Sequence, residues 1–319
     1  MARQSVRNLP IGMYGAVMGL AGLGLACRAA REVLPVPAFF GEIWVALGVA
    51  MLALLLPAYL AKLVRHPGAV REEFLHPSHL GFCGALPVGM ALVAGGLAPY
   101  WHAGGAALWW ISAVMLLAFQ VWAMRLFVGG GIPIAEVNGG WLIVMVGGIV
   151  VPGPALALGL GGASEFCFGL SAMIAPIIVS LLFYRTVALA PLPPALRPTW
   201  FIFLVPPSLI YANGVALSGS TSLFLNGLFY LALALTPALL IASRRFLEWP
   251  FAASWWAFTF PLDALATAAA EHARLQPSAL WRGVAGVTLA LAVAFVALVL
   301  ARTVSAFLRG KLFAALKGA

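Results

Sequence analysis

Apolar runs of bilayer-spanning length recur ten times along these 319 residues, at roughly 9–28, 38–61, 79–98, 104–127, 139–158, 163–184, 198–217, 221–243, 251–270 and 279–302. A helix crosses hydrocarbon in about 20 residues, whereas a spanning strand needs only about 10. Inside a bilayer every backbone N–H and C=O must be satisfied without water, so runs of this length read as helices. Charged residues make up 8% of the chain, against about 25% in a soluble domain. The expected fold is therefore an all-α polytopic membrane protein of ten transmembrane helices. It forms a single transmembrane domain over 1–319, because no stretch is long or polar enough to fold separately. The lipid bilayer is its first partner.

Charge sets the expected orientation. Arg3, Arg7, Lys62, Arg65, Arg71, Arg125, Arg185, Arg197, Arg244, Arg245, Arg302, Arg309, Lys311 and Lys317 fall in connections on one side, and only Arg28, Arg31, Arg274 and Arg282 on the other. Basic residues are retained on the cytoplasmic side, so both termini are expected there, in the cell's inner (plasma) membrane. The net charge of +9 is thus a matter of topology and points to no nucleic acid partner. The charged stretch from Lys62 to His79 reads as a solvated cytosolic connection. The tail Thr303–Ala319 reads as a basic segment lying on the inner leaflet. Cys27, Cys83 and Cys167 lie in or beside apolar runs and suggest neither a disulfide framework nor a metal cluster. Gly24–Cys27 has the outline of a lipoprotein cleavage site, but the apolar run before it is too long, and the first run is expected to stay as a span.

The odd-numbered runs carry helix-breaking and small residues. Gly12, Gly15, Gly19, Gly22 and Gly24 lie in the first; Gly84, Pro87 and Gly89 in the third; Gly147, Gly148, Pro152 and Pro154 in the fifth; Pro206 and Pro207 in the seventh; Pro261 in the ninth. Such residues let helices approach closely or break them where the backbone lines a cavity. In the ninth run Trp255, Trp256, Phe258 and Phe260 crowd up to Pro261, where a kink is expected. Trp249, Trp255 and Trp256 also fit an interfacial aromatic belt. Asp263 follows, the one ionisable side chain well inside any apolar run, and charge in hydrocarbon is costly enough to mark a functional candidate. With Phe260 three residues before it, it is expected to border the pathway or sit at the seam with a neighbouring helix. Neutral or hydrogen-bonded there, with Thr259 or Thr267 as partners, it would not repel an anion.

Catalytic and cofactor patterns are not found. Glu72, Glu73, His76 and His79 have helical spacing, but Pro77 breaks that helix, and a solvated loop is the better reading than a metal site. His66, His102 and His272 lie near span ends and read as interfacial. Gly129–Gly131 lacks the Lys-Ser or Lys-Thr of a phosphate loop, and there is no GxSxG or HExxH element. No enzyme and no cofactor are expected.

Three motifs carry a resemblance. Leu9-Pro10-Ile11-Gly12-Met13-Tyr14-Gly15 followed by Gly19-Leu20, Glu73-Phe74-Leu75-His76-Pro77, and Trp256-Ala257-Phe258-Thr259-Phe260-Pro261 resemble segments of the tellurite-resistance and dicarboxylate transporter family, which includes the slow anion channels of plant guard cells. The resemblance implies five helical hairpins around a central pore, odd-numbered helices inside and even-numbered outside, assembled as a homotrimer. It implies passage of small anions of the chloride, nitrate, dicarboxylate, sulfite or tellurite class. It places Phe260 as the aromatic that occludes the pore, with Gly15, Pro87, Pro206, Pro261 and Asp263 lining the pore or marking its kinks.

The expected function is accordingly an anion channel or channel-like transporter, with Arg125, Arg185, Arg244 and Arg245 as rim residues able to concentrate anions or simply to set topology. A proton-coupled dicarboxylate carrier using Asp263 is the first alternative. A membrane scaffold that transports nothing is the second.

Overall fold

In a computed structural model, residues 6–310 are described, and among them every regular element is helical. In chain order the α-helices are α1 (Gly15–Ala30), α2 (Ala38–Arg65), α3 (Pro67–Leu75), α4 (Pro77–Leu80), α5 (Ala85–Leu97), α6 (His102–Gly129), α7 (Trp141–Val146), α8 (Pro152–Ala157), α9 (Gly161–Ala188), α10 (Val205–Ser218), α11 (Leu223–Ala242), α12 (Thr259–Leu275) and α13 (Ala279–Leu308). Arg3, Lys311, Lys317 and the two chain ends lie outside the described residues.

Two kinds of element alternate. α2, α6, α9, α11 and α13 are long and uninterrupted. The elements between them begin as 3₁₀ helix and continue as α-helix. Ile11–Tyr14 leads into α1, Gly81–Gly84 into α5, Arg197–Leu204 into α10 and Ala253–Phe258 into α12, while Gly147–Ile149 separates α7 from α8.

The prolines account for four of these five junctions. Pro87 is the third residue of α5, Pro152 the first of α8, Pro206 and Pro207 the second and third of α10, and Pro261 the third of α12. A proline has no N–H to give to the carbonyl four residues back, so an α-helical ladder running back through it loses a hydrogen bond, a cost that α2, α9 and α11 bear at Pro57, Pro176 and Pro237. At these junctions the preceding turn closes instead with the tighter i→i+3 pattern. Pro87, Pro206 and Pro261, expected to mark kinks or line the pore, stand in the first turns of α5, α10 and α12, where a missing N–H costs little. Gly15 opens α1.

Burial separates the two kinds. The central stretches of Ile11–Ala30, Pro77–Leu97 and Arg197–Ser218 are 78%, 89% and 72% buried, whereas the five uninterrupted helices are only 17% to 33% buried. The exposed faces of the latter carry large apolar side chains such as Leu54, Ile111, Phe166, Leu223 and Val287, a surface suited to lipid rather than water. Eight helices are long and apolar enough to cross a membrane. The fifth apolar run is broken into α7 and α8, and the ninth is divided between the Ala253–Phe258 turn and the 17-residue α12. The chain is a multi-pass membrane protein.

The interrupted elements pack as a closed ring: α1 against α5, α5 against α7 and α8, these against α10, α10 against α12, and α12 back on α1. Each also packs on the long helix that follows it. The break in the fifth element frees carbonyls at membrane depth, and neighbouring side chains take them up, as a bilayer demands. Gln120 Nε2 donates to Met145 O at 2.5 Å, Asn213 Nδ2 to Ile149 O at 2.6 Å and Trp109 Nε1 to Val151 O at 3.1 Å. Ser112 Oγ serves Pro87 O in the same way at 2.6 Å.

Candidate pore and vestibule

The ring encloses an apolar cavity of about 40 Å³, lined by all five inner elements. A 3₁₀ helix repeats every three residues, so side chains at i and i+3 eclipse. The lining has that spacing in four of the five elements, while the third steps by three and then by four residues. Gly12, Gly15 and Met18 come from the first element, Phe82, Ala85 and Val88 from the second, and Ile143, Val146 and Val150 from the third. Ile202 and Val205 come from the fourth, and Ser254, Ala257 and Phe260 from the fifth, with Trp256 and Pro261 beside them. The residues furthest along each file are Met18, Val88, Val150, Val205 and Phe260. They make an apolar ring in which Phe260, 5% exposed, is the largest member.

The Phe260 ring is seated by glycine. A Cβ on Gly22 would stand 2.8 Å from a ring carbon of Phe260 and 3.0 Å from Asp263 Oδ2, and one on Gly19 would overlap Thr259 Oγ1. Only glycine at these two positions lets α1 and α12 approach so closely. Asp263 is 1% exposed and lies at this seam rather than in the cavity lining. Its hydroxyl neighbours point elsewhere: Thr259 Oγ1 donates to Trp256 O, and Thr267 Oγ1 to the backbone carbonyl of Asp263. The expected threonine partners are thus corrected. Neither carboxyl oxygen has a hydrogen-bond partner among the described residues.

Of the other residues read as pore-lining, Gly15 and Pro261 reach the cavity, whereas Pro87 and Pro206 are buried behind it at the helix junctions. Trp255 and Trp256 are fully buried, not interfacial. His272 is likewise buried, 2.8 Å from the Tyr211 hydroxyl and stacked on Phe229. Arg185 is held by the carbonyls of Ala190 and Ala135 over the Trp200 ring, and Arg245 pairs with Glu248. Arg185 is therefore a buried structural charge, whereas Arg245 stays exposed within its pair.

The cavity adjoins a wider chamber of about 650 Å³, with which it shares Gly12, Phe82, Ala253 and Ser254. Around this vestibule stand Arg7, Asn8, Lys62, Glu72, Glu73, His76 and His79. The stretch read as a solvated loop is in fact α3 and α4, and part of it is buried. Lys62, 1% exposed, gives hydrogen bonds to Glu73 Oε1 at 2.6 Å and to the carbonyl of Leu9 at 2.7 Å. Glu73 Oε2 accepts from the Tyr59 hydroxyl at 2.8 Å. The sequence signal for this was Tyr59 and Lys62 one turn apart at the end of an apolar helix. Glu72, Glu73, His76 and His79 do not converge, and no set of three metal-ligating side chains does so among the described residues.

A ring of interrupted helices around an occluded apolar axis, with a polar chamber at one end and a lipid-facing coat, defines a membrane protein of channel architecture. The voltage-dependent anion channel (SLAC1) family model matches residues 8–304, and the chain belongs to that family, which comprises transport proteins rather than enzymes. The S-type anion channel SLAH3 of Arabidopsis thaliana is 23% identical across 95% of this chain and 49% of its own length. The guard cell S-type anion channel SLAC1 of the same plant is 23% identical across 85% of this chain and 50% of its own. An uncharacterized transporter of Methanocaldococcus jannaschii, MJ0762, is 25% identical across 81% of this chain and 82% of its own. The chain spans about half the length of the plant channels it matches.

Proposed function

We propose that this protein passes small inorganic anions along the axis of its inner ring, with Phe260 as the occluding side chain. The observation that supports this reading is the cavity to which every inner element contributes, with Phe260 among its lining residues. Its lining is backbone and side chains that are apolar except for Ser254, with no ionised group, so an anion would meet partial charges and a dewetted constriction rather than a binding carboxylate or ammonium. The same reading takes the chain as one domain of ten spans in five hairpins, trimeric, in the plasma membrane with both termini cytoplasmic. Purified protein in liposomes should carry nitrate and chloride down their gradients; no flux of either would favour the scaffold reading.

Topology is checked by single cysteines, since the three native ones are buried. Gly68→Cys, with open space around it, should label from the cytoplasmic side, and Pro277→Cys, in the exposed turn before α13, from the opposite side. Labelling of both from one side would overturn the ten-span arrangement.

One observation favours a second reading, a proton-coupled carrier: Asp263 stands unpartnered beside Phe260 and Gly22. An ionised carboxylate there would repel an anion at the constriction, whereas the neutral acid would not. Anion flux should therefore fall as pH rises through the range where Asp263 ionises, and Asp263→Asn should flatten the profile. Superimposable curves would make the residue purely structural. A reversal potential that shifts with the pH gradient, and not with the anion gradient alone, would select the carrier.

A further inference from the structure

The vestibule holds a charged pair that the axial pore does not account for. Lys62 comes from the end of α2 and Glu73 from α3, and both line the chamber. The ammonium is fixed in place: two of its three N–H groups are committed to Glu73 and to the Leu9 carbonyl. The third has no protein acceptor among the described residues. Leu9 lies just before the Pro10–Gly12 segment that begins the first lining file. Lys62 therefore cannot swing away from the pore mouth without releasing that segment.

The chamber's fixed charges are balanced. Arg7 and Lys62 bring two positive charges and Glu72 and Glu73 two negative ones. Its floor, where it meets the apolar cavity, is made by Gly12, Phe82, Ala253 and Ser254, and Lys62 and Glu73 line the same chamber.

We propose that the Lys62–Glu73 pair sets the affinity of a reception site for a small monovalent inorganic anion on the vestibule floor, Lys62 supplying the attractive field and Glu73 holding it down. A buried charge acts at range because little water screens it, so direct contact with the ion is not required. The arrangement would let an anion collect at the mouth and still leave, since conduction needs binding that is favourable yet weak.

This inference rests on the anion-conducting reading, and the experiment separates the two. Nitrate flux into liposomes is measured against nitrate concentration for the unmodified protein, Glu73→Gln and the double variant Lys62→Met/Glu73→Gln. Glutamine keeps an amide oxygen to accept from Lys62 and turns an N–H toward the Tyr59 hydroxyl oxygen, while removing the opposing charge. The double variant removes both charges together, which spares the fold the cost of one unpaired buried ion. Glu73→Gln should lower the half-saturating nitrate concentration several-fold, and the double variant should return it to or above that of the unmodified protein. A merely structural pair would change maximal flux or yield and leave half-saturation unmoved, and equal half-saturation in all three proteins would overturn the proposal. If the unmodified protein carries no nitrate, the conduction reading fails by itself. The thermal unfolding shift with added nitrate, read on the same purified proteins, then decides the reception site. A shift largest in Glu73→Gln and smallest in the double variant supports it, and equal shifts overturn it.

Discussion

Phe260→Ala should raise anion flux by at least about tenfold, equivalent to about 1.4 kcal/mol off the barrier. The ring closes a file of small residues, Ser254 and Ala257, and stands among Met18, Val88, Val150 and Val205. Met18, Val88, Val150 and Val205 are all apolar like the ring, so under the proposed reading the constriction would exclude water as much as it would block the ion. Removing the phenyl merges the 40 Å³ cavity with the space the ring occupied, and a wider apolar passage wets more readily. The fold should survive, because the ring packs on Gly22 and Asp263 at the seam and the main α1–α12 contact at Gly19 and Thr259 is untouched. The measurement is nitrate flux per molecule at matched protein in liposomes. Unchanged flux would return Phe260 to a packing role.

The second large effect concerns which anions pass. The lining offers no ionised group, so an ion crossing the cavity exchanges hydration for apolar side chains and backbone dipoles. The cost of taking an ion out of water rises with the square of its charge and amounts to several kcal/mol even for a relaxed monovalent ion. Nitrate should therefore outpace sulfate by at least about a hundredfold, since each 1.4 kcal/mol is a factor of ten. Among monovalent ions the more weakly hydrated should pass faster. Competition between nitrate and sulfate, or nitrate and malate, in one liposome assay measures this. Malate flux comparable with nitrate flux would exclude a simple apolar pore and favour the carrier that uses Asp263.

Much of the architecture was legible in the chain because a bilayer is a strict solvent. Eight of the ten runs are continuous helical stretches near the expected bounds, five of them single α-helices and three of them 3₁₀ turns joined to α-helix, since the length that spans hydrocarbon is fixed. The buried elements were marked by Gly19, Gly22, Pro87, Pro206 and Pro261. What the sequence did not reveal was how those elements are wound. A proline in an apolar run suggests a kink, and only the packed ring shows that Pro87, Pro206 and Pro261 sit just past a 3₁₀ turn. Lys62 and Glu73 were hidden for a related reason: charge in a connection reads as solvated unless a partner is known, and theirs is eleven residues away across a helix break. His272 was misjudged because its cage of Tyr211, Phe229 and Trp281 comes from three other segments. Asp263 was recognisable from its depth alone, yet its lack of a partner was not.

The three-residue period of the lining has a consequence for how such a chain can change. In an ordinary helix the residue facing a given direction drifts along the sequence, and a small shift of register is absorbed gradually. In a 3₁₀ segment each position turns by about 120°, so the residues form straight columns, like staves around the axis. Inserting or deleting one residue within the 3₁₀ segments Ile11–Tyr14 or Ala253–Phe258 would rotate the lining positions beyond the change by about 120° and bring bulky packing residues to the front at once. The length of those stretches is therefore fixed to the single residue. The exposed turns at Gly129–Gly131 and Gly219, where added atoms meet open space, are where chains of this kind are free to lengthen or shorten.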